Sequence, residues 1–408
     1  MGYAQVDVRE NNEKESLKGD ANMKLSKVAM AVTPSFTRQL FNIAAQYNDV
    51  IDFTLGDPDF MTPKHVRAAG CEAINAGKTK YSANAGLREL REVVSKTILK
   101  ENNVYYDPDS EIIITVGAMQ ALYLSMLCLL DEDDEVIIPA PFWINYKHMV
   151  EMCHGKPVIV STSEDNNFMV TAETIEGAIT DRTKAIIINS PNNPSGIIYD
   201  YATVERLCQI AKEKDILIFW DECYKSIVYD GNKVTSVLDF PGMKEHSVII
   251  NSFSKKYSMT GWRIGYTAAS RELVNAMTML QENMVSCAPL PSQYAAISAL
   301  ETESDATEQM RQGFQKRRDV LVTEINKIDK LHCRKPQGTF YAFVNIKETG
   351  LSSVDFAFRL VESKHVAVVP GITYGDCCEG YIRIAYTVNE DKIYEGVRRI
   401  KEFVEELE

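Results

Sequence analysis

Ser252-Phe253-Ser254-Lys255-Lys256-Tyr257-Ser258-Met259-Thr260-Gly261-Trp262-Arg263-Ile264-Gly265 decides how the rest of the chain is read. A lysine stands between small hydroxyl residues, a few positions after the apolar, strand-like run Val248-Ile249-Ile250. An arginine follows about two helical turns on, beside glycines that let backbone or ligand come close. Such a loop can hold a phosphate with hydroxyls and a guanidinium while keeping an amine next to it. By sequence alone Lys256 rivals Lys255, and an isolated lysine is most often a solvated surface group.

The run before this loop is one of a series: Ile112-Ile113-Ile114, Val136-Ile137-Ile138, Ala185-Ile186-Ile187-Ile188, Ile216-Leu217-Ile218-Phe219 and Val248-Ile249-Ile250. Continuous apolar runs predict strands buried on both faces. Helical patterns such as Val204-Glu205-Arg206-Leu207-Cys208-Gln209-Ile210-Ala211 lie between them, which gives an α/β fold with a mostly parallel sheet. Just beyond the C-terminal end of each run come residues of another kind. Gly117-Ala118-Met119, Pro139-Ala140-Pro141-Phe142-Trp143, Asn189-Ser190-Pro191-Asn192-Asn193-Pro194, Asp221-Glu222 and Ser252 to Lys255 follow in turn. Ligands of open α/β sheets bind outside the carboxyl ends of strands, so these strand ends are expected to converge on one crevice. Taken singly, each has a plainer reading. Gly117 can be a tight turn, Trp143 core packing, Asp221 a helix N-cap and Arg383 a surface strand charge.

The chain has 408 residues, 45% hydrophobic and 25% charged, enough for a large core in two domains or one domain with a lid. A formal charge of -13 argues against nucleic acid as a partner, because phosphate backbones need a basic face. The nine cysteines are scattered without Cys-x-x-Cys spacing, and the adjacent Cys377 and Cys378 are poorly placed for a structural bridge. They read as reduced thiols of a cytoplasmic protein. The six histidines show no ligand spacing, so no metal is expected. No apolar run reaches membrane-spanning length. Residues 1–22 are polar and read as a disordered extension.

With these motifs in place, the segment 252–265 resembles the lysine signature of class I aminotransferases, the aspartate aminotransferase fold family. The resemblance is to the branch that contains bacterial and archaeal aspartate and aromatic aminotransferases. It runs from about Met23 to the C-terminus, with several separate motifs in the family's order. It implies the pyridoxal 5'-phosphate-dependent transferase fold type I: a large domain with a mostly parallel central sheet, and a smaller α/β domain built from both chain ends. The expected boundaries are 23–61 for the N-terminal part of the small domain, 62–290 for the large cofactor-binding domain, and 291–408 for a linking helix and the rest of the small domain. The amphipathic segment near Ser292 to Val322 is the expected link.

The resemblance also implies roles. Lys255 would bond to the cofactor's aldehyde and then shuttle the proton, and the register with Arg263 selects it over Lys256. Ala118 and Met119 amides, Ser252, Ser254 and Arg263 would hold the phosphate. Trp143 would stack on the ring, Asn193 and Tyr224 would reach its phenolic oxygen, and Asp221 would keep its nitrogen charged. Arg383 would take the substrate's α-carboxylate, and Gly56, in Leu55-Gly56-Asp57-Pro58-Asp59-Phe60, would belong to a loop closing over it. Tyr81 would reach the phosphate of the other subunit, which makes the unit a homodimer.

The activity implied is transfer of an amino group from an L-amino acid to a 2-oxo acid such as 2-oxoglutarate, by a ping-pong route. Aspartate-preferring members often carry Gly-Gly-Lys-Gln where this chain has Gly117-Ala118-Met119-Gln120, and Met119 cannot bind a distal carboxylate. The stretch Pro34 to Phe41 looks closer to broad or aromatic enzymes, although Arg38 could serve an acidic side chain. Aspartate aminotransferase is the alternative. A C–S β-lyase on the same fold is another, since fold does not settle chemistry. A regulator's ligand sensor would need an attached DNA-binding module, and a nucleotide-binding protein would need a phosphate-loop motif. Neither is present.

Overall fold

All of the apolar runs become strands of one seven-stranded sheet in the computed structural model, which describes residues 25–26, 29–30 and 36–407, without the side chains of Thr37, Arg38 and Phe41. In chain order the strands are β1 (Ile51–Asp52), β2 (Ile112–Thr115), β3 (Glu135–Pro139), β4 (Lys156–Val160), β5 (Thr183–Asn189), β6 (Leu217–Asp221) and β7 (Ser247–Ser252). They continue with β8 (Gly265–Ala268), β9 (His332–Cys333), β10 (Tyr341–Asn345), β11 (Val366–Ala367), β12 (Val369–Pro370) and β13 (Tyr381–Ala385).

The large sheet runs β2-β8-β7-β6-β5-β3-β4. Only β8 runs against its neighbours. Alternate side chains feed two cores. Ile186 and Ile188 pack on one face, and Ala185 and Ile187 on the other. Each fully buried Ile contributes about 1.5–3 kcal/mol, which is why these runs are continuous rather than alternating. The reading of the sequence missed β4 and β8. The first is an edge strand whose Lys156 and Ile159 are exposed and whose Pro157 is tolerated there. The second is a short Gly-Tyr-Thr-Ala with no apolar run.

Helices fill the crossovers, with caps where the sequence offers them. The helix Tyr201–Lys214 starts at Asp200, whose side chain accepts from the Thr203 amide, and stops at Asp215, which has φ 52. The register pairs Asn189 with Asp221, and Asp221 with Ile250, so the ends of β5, β6 and β7 lie side by side.

A second, antiparallel sheet, β12-β13-β10-β9, and the parallel pair β1-β11 form the smaller part. Its core joins Leu40, Ile51 and Phe53 to Phe314, Phe340, Phe356, Ile382 and Ile384, so it draws on both ends of the chain. The expected link at Ser292 to Val322 is not one helix. It is two, Leu290–Glu301 and Ala306–Ile325, broken at the polar Thr302-Glu303-Ser304-Asp305. Ala295, Ala296 and Ala299 of the first join the large sheet's core, whereas Met310, Phe314 and Leu321 of the second join the small one, so the break marks the change of core. Residues 36–407 form one compact unit. The extension expected at 1–22 lies outside the described residues.

Candidate active site

Beyond the carboxyl end of β2, Gly117 opens the helix Gly117–Leu129 with φ +73 and no side-chain cap. Arg263, reached from β7 through the loop 253–263, lays its guanidinium against this point: a Cβ on Gly117 would meet its Nη2 at 2.7 Å. Gly265 lets the two backbones touch, since a Cβ there would sit 2.9 Å from the Ala118 nitrogen. Arg263 donates from Nη1 to the Thr260 carbonyl at 2.9 Å, and among the described residues no carboxylate neutralises it. A guanidinium beside an uncapped helix N-terminus is a seat for an anion. Ser252 at the end of β7 and Ser254 in the loop after it are both buried, while Ala118 and Met119 occupy the first helical turn, Met119 with 43% of its surface exposed.

Asp221 ends β6 and is buried. The plainer reading as a helix cap fails, since no helix follows it. Its Oδ2 accepts the Tyr146 hydroxyl at 2.5 Å, and its Oδ1 accepts the Cys223 amide at 3.0 Å. Burial pushes its carboxyl up, and these hydrogen bonds pull against that. Among the described residues it has no ion-pair partner, and a buried carboxylate without a cation is several kcal/mol out of balance. A cationic ring nitrogen would restore that balance. Trp143 stands half-buried nearby, edge-on to Tyr146 with ring centroids 5.4 Å apart.

Lys255 extends its Nζ to the Gly56 carbonyl at 2.6 Å and lies over the Phe340 ring at 5.7 Å. Lys256 turns to the Tyr257 ring instead, 5.2 Å away, so the structure separates the two rivals. Gly56 has no room for a side chain, because a Cβ would collide with the Tyr341 hydroxyl. That hydroxyl is 3.2 Å from the Tyr224 hydroxyl, and the Tyr341 ring lies 4.3 Å under the Arg383 guanidinium. Arg383, on β13, is buried rather than a surface charge. It donates from Nη1 to Asn193 Oδ1 at 3.1 Å and from Nη2 to the Thr54 carbonyl at 2.6 Å, leaving Nε without a partner. Asn193 is fixed in turn by its amide to Asn189 Oδ1 at 2.8 Å.

Lys255, Gly56, Tyr224, Asn193 and Arg383 are thus brought together, with Tyr341 at the centre. Tyr341 and Tyr146 were missed as site residues. Tyr341 was visible only as part of a strand, and Tyr146 stands three residues after Trp143 with no motif of its own. The loop over this cluster is tied down on several sides. Thr387 Oγ1 donates to the Leu55 carbonyl at 2.9 Å, Thr260 Oγ1 to Asp57 Oδ1 at 2.7 Å, and Ser258 Oγ to the Phe60 carbonyl. Arg317 holds Asp59 with two bonds of 2.7 and 2.9 Å. Tyr81 lies apart from this network with 83% of its surface exposed. The Arg38 side chain and the stretch 31–35 lie outside what is described.

The sequence and this architecture have close counterparts. The model of the family aminotransferase class I and II matches residues 48–400. An aspartate aminotransferase of Bacillus subtilis is 40% identical over 94% of this chain and 99% of its own. An aromatic-amino-acid aminotransferase of Thermococcus litoralis is 38% identical over 94% and 99%. The solved aspartate aminotransferase of Rhizobium meliloti superposes with a TM-score of 0.90 at 36% identity, over 94% of this chain and 99% of its own.

Proposed function

This chain belongs to the class I and II aminotransferases, and from that premise we propose that it is a pyridoxal 5'-phosphate enzyme that moves the amino group of an L-amino acid, aromatic or broad in range, to 2-oxoglutarate in two half-reactions. The observation that carries this is the buried Arg383, which pairs with no carboxylate among the described residues and shares Tyr341 with the loop that holds Lys255.

When bound, the cofactor supplies an aldehyde to carry the amino group and a ring to take up the electrons of a broken Cα–H bond. Arg263, the amides of Ala118 and Met119, Ser252 and Ser254 hold its phosphate. Asp221 receives the ring N–H and gains the positive partner it lacks, while Tyr146 keeps that carboxylate oriented. Trp143 would flank the ring, and Asn193 and Tyr224 would donate to its phenolic oxygen. Arg383 takes the α-carboxylates of donor and acceptor in turn, which suits one site serving both half-reactions. The Nζ of Lys255 accepts the proton from the substrate's Cα and gives it back. Loop 54–60 keeps water from that amine.

Substrate choice rests on apolar surface. The names of the relatives divide between aspartate and aromatic amino acids. Met119 and Leu55, exposed by 43% and 48%, offer a large side chain uncharged surface to lie on. A second copy of the chain would cover Tyr81 and share the phosphate seat. The nine free thiols suit the reducing cytoplasm. The division into a large domain at 62–290 and a small one from 23–61 and 291–408 is part of the same proposal.

The test mixes purified protein with one amino acid at a time, without acceptor. Loss of absorbance near ~420 nm with gain near ~330 nm, undone by 2-oxoglutarate, is expected. Phenylalanine and tyrosine should react readily. A response to aspartate and glutamate alone would overturn the aromatic assignment, and pyruvate released from cystathionine would point to a lyase. Mixing inactive Tyr81→Ala and Lys255→Ala proteins should regain activity if the site is shared between copies.

A further inference from the structure

Cys377 and Cys378 lie outside the machinery described above, on the turn Asp376–Cys378 where the small part meets the large. Their Sγ atoms are 3.9 Å apart. Cys377 is half-buried and Cys378 fully buried, so a reagent reaches the first and the second lies behind it. Cys378 Sγ donates to the Tyr374 carbonyl at 3.7 Å, and the same carbonyl accepts the Phe142 amide at 3.2 Å from the loop after β3. The Tyr374 ring lies 5.3 Å from the Arg383 guanidinium. A Cβ on Gly375 would press on Ala140 at 2.8 Å, so this turn has no slack on the large sheet's side.

We propose that Cys377 and Cys378 form a vicinal-dithiol modification site that disulfide oxidants such as oxidised glutathione close to an intramolecular bridge, and that closure weakens substrate binding through Tyr374 and Arg383. The thiolate of Cys377 attacks one sulfur of the oxidant and expels a thiolate. Cys378 then attacks Sγ of Cys377 and expels the second. One disulfide is reduced to two thiols, which carry off the two cysteine protons, and one S–S bond forms. The Cys377 thiol is lowered from its usual pKa by the neighbouring Cys378 thiol, whose one proton turns from the Tyr374 carbonyl to the Cys377 sulfur, and this suits Cys377 to the first attack. Adjacent Cα atoms are about 3.8 Å apart, below the usual disulfide span, so this bridge is strained and easily reduced. Bonding removes the Cys378 thiol from the Tyr374 carbonyl and pulls the turn that carries the Tyr374 ring.

The whole enzyme is equilibrated with mixtures of reduced and oxidised glutathione, quenched by alkylation and mapped by peptide mass, beside a short peptide containing adjacent cysteines as a control. The expected result is a peptide carrying both cysteines that is lighter by two hydrogens and unalkylated. KM for the amino donor should rise roughly fivefold with kcat little changed, restored by dithiothreitol and absent in Cys377→Ser. Cys378→Ser should stop at a mixed disulfide on Cys377. Two alkylated thiols where the control is oxidised would overturn the proposal, as would a stable mixed disulfide on the unmutated protein or a bridge with unaltered KM. The KM change rests on Arg383 as the carboxylate's receptor, whereas the mass does not, so the two failures are distinguishable.

Discussion

Asp221 and Glu222 are neighbours in sequence and both buried, yet their surroundings are opposite. Glu222 Oε1 meets Lys225 Nζ at 2.8 Å, and Lys225 reaches Glu101 at 2.6 Å, so the charges behind the sheet end are matched by the chain itself. Asp221 faces the crevice with a tyrosine hydroxyl and an amide and, among the described residues, no cation. The arginines repeat the contrast. Arg318, fully buried in the small part, holds Asp230 at 2.7 Å and Asp319 at 2.7 Å, whereas Arg383 among the described residues holds neutral oxygens alone. Buried charge that serves the fold is paired within the fold. On the proposed function, the buried charge of Asp221 and Arg383 is left for a ligand to pair.

Substitutions can break this distinction. The largest expected effect is at Lys255, whose amine is the one group asked to move a proton. Lys255→Ala should lower turnover by roughly 10⁴-fold while the unfolding midpoint barely moves, measured by steady-state kinetics and thermal denaturation. Next come the two arginines. Arg383→Leu should lower kcat/KM by about 10²–10³-fold and leave stability within about 1 kcal/mol, because it removes a charge the fold never matched. Arg318→Leu should destabilise by about 3 kcal/mol in denaturant titration and leave KM alone. The reverse pattern would end the distinction.

Two carboxylates sharpen it through pH. Burial raises Asp221, so the folded state binds the extra proton and this group lowers stability as pH rises above its unfolded pKa. In protein stripped of cofactor, Asp221→Asn should therefore be more stable than its parent at neutral pH, with the gap closing on acidification. Asp230 is lowered by its bond to Arg318, so its contribution is present at neutral pH and is lost as pH falls through its lowered value. Asp230→Asn should be less stable at neutral pH, again with the gap closing in acid. Chemical denaturation across pH reads both signs. The smallest effect is expected for Tyr146→Phe, which removes one hydrogen bond from a buried carboxylate: about tenfold in kcat/KM, with weakened cofactor binding followed by absorbance.

The strand ends were legible because each joins a continuous apolar run to a residue that has no place in one. Asp221 after Ile-Phe-Trp and Gly117 after Ile-Ile-Thr-Val are of that kind. Lys255 could be told from Lys256 only by motif, since both follow the same strand and their directions are set by the loop's turns. Tyr341 was invisible as a site residue because its partners, Gly56, Tyr224 and Arg383, come from distant parts of the chain, and its strand pattern is satisfied without them. The break at 302–305 was hidden by apolar residues that keep helical spacing on both sides while serving two different cores.

The bond from Lys255 to the Gly56 carbonyl has a consequence for timing. The loop over the crevice and the reactive amine share one hydrogen bond, so raising the loop frees the amine, and lowering it engages the amine again. On the proposed function, entry of a substrate and readiness of the lysine would therefore be interlocked. A reagent that reaches the amine reports that the gate is up, and the rate at which it does so is a clock for the gate.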